Sequence, residues 1–402
     1  MKRLSALCAA SHCAWVGPSF AQEVEAADPA GTPIEIHGFV SQGFIKSTNN
    51  EYLAESKRGS FEFSEVGFNV TQALGHDLRV GFQVFAHDLG PFGNYKPEFD
   101  WYYLDYRFFD WLGIRIGRTK MPFGLYNELN DIDVARVPIL LPQSIYQVDH
   151  REYIFAQTGG ELYGDVPLGD VGSLEYRAHG GTLFADTPTP PAPGITVENV
   201  SVPYIFGGRL TWSAPLDGLH VGASYQAVRL DGDYGFSPEL LAVFQPLGLL
   251  PADLAGPLSV KWRVKRWVAS LQYSAHDLDL SAEYSRWIGG FESRAPLLLP
   301  THVVNERYYV MASYRVAPWF TPGVYYSAFY PNVEDRHGRE AYQHDVAATL
   351  RYDLTANWLF KLEGHFMRGT AALDNEALND GVEQKLLAPT WGVFLIKTTA
   401  YF

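Results

Sequence analysis

From Ile34 to the last residue the chain alternates apolar and polar positions with a period of two, which is the signature of extended strands with two unlike faces. Leu78, Val80, Phe82, Val84 and Ala86 interleave with Arg79, Gly81, Gln83 and His87. Leu174, Tyr176 and Ala178 do so with Glu175, Arg177 and His179, and Trp358, Phe360 and Leu362 with Lys361 and Glu363. Sixteen such segments can be counted, starting near Ile34, Ser60, Asp77, Phe99, Gly113, Tyr153, Val171, Val202, Leu219, Leu258, Leu278, Asn305, Phe320, Ala341, Trp358 and Leu387.

The connections alternate in length. Tight turns (GHD at Gly75, DWL at Asp110, PLGD at Pro167, PLDG at Pro215, AHD at Ala275, APW at Ala317, LTAN at Leu354) follow the even segments, and longer loops follow the odd ones. An even number of strands with short connections on one side and long ones on the other is the layout of an outer-membrane barrel. A soluble β-sandwich also alternates, but its strands run to about 5 or 6 residues, whereas crossing a bilayer at a tilt takes roughly 9 to 11, and these segments are of the longer kind. The expected fold is an all-β, 16-stranded antiparallel transmembrane barrel, and no apolar run is long enough for a membrane-spanning helix.

The stretch FDWYYLDYRFFDWLG, Phe99 to Gly113, has large aromatic side chains on both faces. A barrel accommodates them: Tyr102, Leu104, Tyr106 and Phe108 toward lipid, Phe109 and Trp111 at the periplasmic interface, and Trp101, Tyr103, Asp105 and Arg107 toward a watery lumen. At the C-terminus Phe394, Ile396, Thr398, Ala400 and Phe402 share one face. The terminal aromatic resembles the signal read by the outer-membrane insertion machinery.

Residues 1–21 read as a signal peptide: Lys2 and Arg3, a short apolar run, then Ser19 and Ala21 placed for cleavage before Gln22. Residues 22–33 form a short periplasmic leader and 34–402 the barrel. Both cysteines, Cys8 and Cys13, fall in the part removed, so disulfide and thiol chemistry are not expected in the mature chain.

The net charge of -14 conceals a division, with acids concentrated in the loops and turns and bases in the strands. A strand cation on the lipid face at mid-membrane costs roughly 2 to 4 kcal/mol, so the strand cations are expected inside. The candidates for a basic pore lining are Arg79, Arg107, Arg115, Lys120, Arg177, Arg209, Lys261, Arg263, Lys265, Arg307, Arg315, Arg351 and Lys361. The densest run is LSVKWRVKRW, where Lys261, Arg263 and Lys265 share one face. The apolar parity changes after Arg266, to Trp267, Ala269 and Leu271, which predicts a bulge near Lys265 and an inward ladder that favours anions.

The loop of residues 121–152 is too apolar at Val137, Ile139, Leu140 and Leu141 to lie in water. It is expected to fold into the barrel and narrow it, with Glu128, Asp131 and Asp133 facing the basic wall across the passage and setting up a transverse field. No hydrolase, zinc-protease or phosphate-loop motif is present, and neither a cofactor nor a metal nor nucleic acid is expected. A barrel enzyme would need an inward Ser–His pair, which the sequence does not reveal. A channel specific for sugars, phosphate or aromatic acids would use Trp101, Tyr103 and Trp262, the last with outward parity.

The segments FEFSEVGFNVTQALGHDLRVGFQVFAHD, IRIGRTKMPFGLYNE and TGGELYG, all within roughly the first 165 residues, resemble the phosphate-selective porin O and P family of Gram-negative outer membranes. The resemblance implies a trimeric porin with its third loop folded inward, passive diffusion of small hydrophilic solutes, and anion preference from lumen cations, here Arg115, Lys120 and the Lys261 to Lys265 run. Arg118 and Lys120 share parity with Ile114 and Ile116, which would turn them outward. Partners would be a homotrimer, outer-membrane lipids and lipopolysaccharide, which the acidic loops repel unless divalent cations bridge the two.

Overall fold

The structure, a computed structural model, describes residues 33–183, 194–296, 301–373 and 377–402, so the expected signal peptide and nearly all of the leader lie outside the described residues. The strands are β1 (Glu35–Ser47), β2 (Phe63–Ala73), β3 (Leu78–Leu89), β4 (Glu98–Phe109), β5 (Leu112–Lys120), β6 (Ala156–Pro167), β7 (Ser173–Thr182) and β8 (Ile195–Ser213), then β9 (Leu219–Phe236), β10 (Leu258–Ala275), β11 (Leu278–Ser293), β12 (Thr301–Tyr314), β13 (Phe320–Tyr330), β14 (Gln343–Thr355), β15 (Trp358–Gly369) and β16 (Thr390–Tyr401). Each pairs antiparallel with its neighbours in sequence, and β1 pairs with β16 to close the barrel.

Closure is completed at the chain end: the Phe402 N–H donates to the Gly38 carbonyl at 3.0 Å and the Gly38 N–H donates back at 3.1 Å. A closed barrel leaves no sheet edge unpaired, the condition for placing strands in hydrocarbon. The starts agree with the alternation to within three residues, except that β8 begins at Ile195 rather than Val202 and β12 at Thr301 rather than Asn305. In the AHD turn His276 and Asp277 both take positive φ, 55° and 65°, the two-residue geometry that matches strand twist.

The faces follow the pleat. Tyr102, Leu104, Tyr106 and Phe108 are exposed on the outer face, while Asp105 is buried and Trp101 stacks on Tyr103 inside, ring centroids 5.3 Å apart. Phe109 and Trp111 stack at the periplasmic end. A register shift between Gln83 and Val84 adds Asp100 to β4 as a bulge, and its carboxylate is buried inside.

No bulge occurs near Lys265. The register of β10 is continuous on both sides, through Lys265 opposite Ile288 and Arg266 opposite Trp287. Val260, Arg266, Val268, Ser270 and Gln272 are buried on the inner face, so Lys261, Arg263 and Lys265 share the outer face with Trp267, Ala269 and Leu271. The expected inward ladder points outward. At 18 residues β10 is much longer than the roughly 10 needed to span hydrocarbon, and in its upper part the inner positions Leu258 and Val260 are apolar and buried against the loop residues Leu250 and Leu254, so apolar parity there marks the inside instead of the lipid face. Arg315 is likewise not in the lumen: it is exposed in the turn between β12 and β13. Trp262 has inner parity, not outer, and stacks on Phe291 at 5.9 Å.

Leu104 marks the middle of the lipid face of β4, with two aromatic residues on either side of it. Leu104→Arg is expected to lower unfolding free energy by about 2–4 kcal/mol in vesicles, and Phe108→Arg near the rim by about 0–1 kcal/mol. Urea titration followed by tryptophan fluorescence checks this, and equal losses at the two sites would contradict the assignment of this face to lipid.

Candidate functional site

Met121 follows β5 and begins a 35-residue excursion to Phe155 that enters the middle of the barrel. Short turns at Asn127–Leu129, Asp133–Ala135 and Val148–His150 and one helical turn, α1 (Arg151–Ile154), are its only regular pieces. Its apolar residues explain its place. Ile139 and Leu140 pack against Ile45, Leu89, Met367 and Leu395 of the wall, while Phe123, Leu141, Ile145 and Tyr146 pack against Val268 and Tyr309. Val137 is half-buried. The neck is closed by Asn127, whose side-chain amide donates to the Met121 and Ile154 carbonyls at 2.9 and 2.8 Å.

Three carboxylates then fix the loop to the wall. Glu128 bridges Arg177 of β7 and Arg209 of β8, the latter at 2.9 Å. Asp131 accepts from Lys120 of β5 at 2.7 Å and from Gln83 of β3 at 2.7 Å. Asp133 accepts from Lys361 of β15 at 2.9 Å and from the Thr399 hydroxyl of β16 at 2.7 Å, with the Lys397 ammonium 3.6 Å away. Lys120, paired with Ala156 at the last position of β5, therefore carries its ammonium inward to Asp131 against the parity it shares with Ile116.

The loop backbone is held as well. Arg351 donates to the Val134 carbonyl at 2.7 Å and Arg307 to the Ser144 carbonyl at 2.8 Å. Wall carboxylates take the loop N–H groups. Glu363 accepts from Ile139 and Leu140 at 2.6 and 2.9 Å, and Glu283 accepts from Leu125 at 2.9 Å. The Tyr146 hydroxyl accepts from Leu125 and Tyr126 N–H groups and donates to Glu283, which also accepts from Ser270 and Tyr309. Alternation puts Glu363 on the polar face but does not disclose its partners, and Glu283 and Lys397 are not among the candidates read from the sequence.

Acid and base thus meet in direct contact. The expected arrangement, acids facing the basic wall across an open passage, is replaced by pairs that cancel one another's field. Arg115 is paired with Asp105 at 2.9 Å, Arg79 with Glu35 at 3.0 Å and Arg107 with Asp110 at 3.4 Å. Two buried guanidiniums differ. Arg266 and Arg307, 5% and 4% exposed, have no carboxylate within ion-pair distance among the described residues. They flank the ring of Trp287, at 5.0 and 3.9 Å from its centroid, with Phe123 beyond Arg266 at 4.2 Å and Phe329 beyond Arg307 at 4.3 Å. Cation–π contact stabilises a desolvated guanidinium by about 2 kcal/mol while leaving its charge in place. The parity inference that assigned Lys261, Arg263 and Lys265 to the lumen missed Arg266, the one cation of that run that is inside.

An inward Ser–His pair does exist, contrary to the sequence expectation: Ser213 and His220 hydrogen-bond at 3.0 Å at the periplasmic end of β8 and β9.

No protein-family model matches the chain, and no curated protein matches its sequence. Solved structures do match in shape. The chain is similar to an anion-selective porin from Comamonas acidovorans at 13% identity and TM-score 0.54, covering 92% of this chain and 99% of that one. It is similar to the outer membrane channel DcaP of Acinetobacter baumannii at 12% identity and TM-score 0.54, covering 93% and 99%. It is also similar to the trimer form of in-vitro folded OmpT from Vibrio cholerae at 10% identity and TM-score 0.52, covering 92% and 99%. At these identities the likeness is one of fold, the closed 16-stranded barrel of outer-membrane porins.

The loop carboxylates give the site a defined response to acid. Burial alone would raise Glu128, but Arg177 and Arg209 override it and hold the group down at about 2. Asp133, likewise raised by burial alone, is held well below the usual carboxylate range by Lys361, Lys397 and Arg136, and Asp131 is lowered chiefly by Lys120 and Arg151. Folded values below unfolded ones mean that the docked loop is stabilised above pH of about 4 and loses that stabilisation as the pH falls toward the folded values. The contribution of these three carboxylates to single-channel conductance, read as the difference between wild type and Glu128→Gln with Asp131→Asn and Asp133→Asn, is therefore expected to stay level from pH 7 to 4 and to fall only toward pH 2. A step in that difference near pH 4 to 5 would contradict this account.

Proposed function

We propose that the chain is an outer-membrane porin that passes ions and small hydrophilic solutes by diffusion, exported by its N-terminal signal and assembled as a homotrimer. The observation that carries this reading is the charge-paired loop held inside a closed barrel, which sets ion pairs beside apolar contacts in the lumen in place of a wholly apolar core. Of the similar structures one is described as an anion-selective porin, one as an outer membrane channel and one as an outer membrane protein in a trimer form.

We infer a mild anion preference, on a different basis from the Lys261 to Lys265 run. With Glu128, Asp131 and Asp133 neutralising their wall partners, the cations left without a carboxylate at ion-pair distance in this part of the lumen are Arg266 and Arg307, set against Asp149 and the Glu283 carboxylate, which hydroxyls and a loop N–H hold. Low-dielectric surroundings extend the field of the two guanidiniums into the passage and lower the barrier for anions. Phosphate selectivity of the porin O and P kind remains part of this proposal only through the resemblance of the quoted segments.

A solute-specific channel is a second reading, favoured by inner-face aromatic pairs at two heights, Trp101 on Tyr103 and Trp262 on Phe291. Such platforms suit sugars and aromatic acids. Saturation of the current by one such solute would select this reading.

The test is the zero-current potential in a planar bilayer across a KCl gradient. The wild-type chain is expected to favour chloride, Arg266→Gln with Arg307→Gln to lose that preference, and Lys261→Gln with Arg263→Gln and Lys265→Gln to retain it. Collapse in the second variant alone would contradict the assignment of the field, and no conductance at all would remove the porin reading.

A further inference from the structure

The three cations that turned outward lie where a lipid surface would meet the barrel. On the outer face of β10 the sequence of side chains from the periplasmic side upward is Tyr273, Leu271, Ala269, Trp267, then Lys265, Arg263 and Lys261. Trp267 belongs to a row of rings that crosses four strands: Trp267 to Tyr284 at 5.6 Å, Tyr284 to Tyr308 at 6.5 Å and Tyr308 to Tyr326 at 6.3 Å. Such a row marks the interface between hydrocarbon and headgroups, so the cations immediately above it stand at headgroup height.

Neighbouring strands add to this layer. Arg229 of β9 is the cross-strand partner of Arg263, and Arg286 of β11 is that of Trp267. Carboxylates are fewer there: Asp231 pairs with Arg229 at 2.6 Å, Glu292 with Arg263 at 3.0 Å, and Glu306 with Arg286 at 3.2 Å and Arg336 at 3.0 Å. The result is an outward patch with an excess of positive charge on a protein of net charge -14.

Directly below the aromatic row the outer face is hollowed. Ala269 and Ala282 are short where Tyr284 and Tyr308 are long, and together with Leu271 and Val310 they line an open groove of about 480 Å³. An apolar groove below and a cationic layer above, separated by an aromatic row, fit a molecule with acyl chains and a phosphorylated head.

We propose that this face of β9 to β12 binds the phosphorylated, acylated glucosamine headgroup of lipopolysaccharide, lipid A, its phosphates on Lys261, Arg263 and Lys265 and one acyl chain in the Ala269–Ala282 groove. The inference rests on the outer-membrane placement proposed above. It also changes the sequence expectation for this partner, because phosphate is contacted by cations of the wall and needs no divalent bridge to the acidic loops.

The test is retention of bis-phosphorylated lipid A by the full chain in detergent containing a chelator, read by native mass spectrometry. Wild type is expected to retain lipid A. Lys261→Gln with Arg263→Gln and Lys265→Gln is expected to weaken it about a hundredfold, from the usual effect of three cations near an anionic lipid surface. Ala269→Trp, which fills the groove, is expected to weaken it while leaving the charges in place, and dephosphorylated lipid A to bind wild type no better than the triple variant. Unchanged heat-modifiable migration verifies that each variant is folded. Equal retention by the triple variant, equal binding of dephosphorylated lipid A, preference for phosphatidylglycerol, or a changed oligomeric state with lipid binding intact would each overturn the proposal. A chain that retains lipid A but does not conduct would remove the porin reading and leave this one standing.

Discussion

Everything in the interior depends on the neutralisation of buried charge. A barrel wall that presents Arg177, Arg209, Lys361 and Lys397 to a partly dry lumen is costly unless each cation finds an anion, since removing one partner of a buried pair typically costs about 3–5 kcal/mol. The inward loop supplies part of the anions, Glu128 to Arg177 and Arg209 and Asp133 to Lys361, while the wall carboxylates Glu161, Glu175 and Glu65 share Arg177, Arg209 and Lys397. Asp133 shows the logic most fully: its carboxylate lies among Lys361, Lys397, Arg136 and Thr399, groups drawn from two strands and from the loop itself. The loop is therefore a part of the wall's electrostatics as well as an obstruction, and Lys361, whose carboxylate partner is Asp133, depends on it most directly.

This arrangement also orders the function. Pairing in contact removes most of the field that opposed charges would create across the passage, so selectivity passes to the charges that are left unpaired. Arg266 and Arg307 are held by aromatic faces and neutral acceptors, which stabilise a cation without cancelling it. The outer face follows the same principle in a different solvent: the cations above the Trp267 row are affordable because they stand beyond the hydrocarbon.

Strand number, order of short and long connections, and the inward loop were legible because each follows from a local rule: period two, turn residues, and apolar residues that need cover. The rule held for Tyr102, Leu104, Tyr106 and Phe108, which have lipid on one side and lumen on the other. It failed for Lys261, Arg263 and Lys265, because β10 continues past the hydrocarbon and its inner positions there, Leu258 and Val260, are covered by the apolar loop residues Leu250 and Leu254, so apolar parity marks the inside. Lys120 departs for another reason: at the last position of β5 its ammonium reaches inward to Asp131. Partners such as Glu283 with Tyr146, 137 residues away in sequence, are fixed only by closure of the barrel and carry no local signal.

The central claim is that carboxylates of the loop hold it at the wall and so set the width of the passage. Single-channel conductance of Glu128→Gln, Asp133→Asn and the double variant, each verified as folded by heat-modifiable migration, tests it most directly. The account predicts a larger and noisier current in each single variant and the largest in the double. Conductance identical to wild type in all three would show that the loop is held by something other than these pairs.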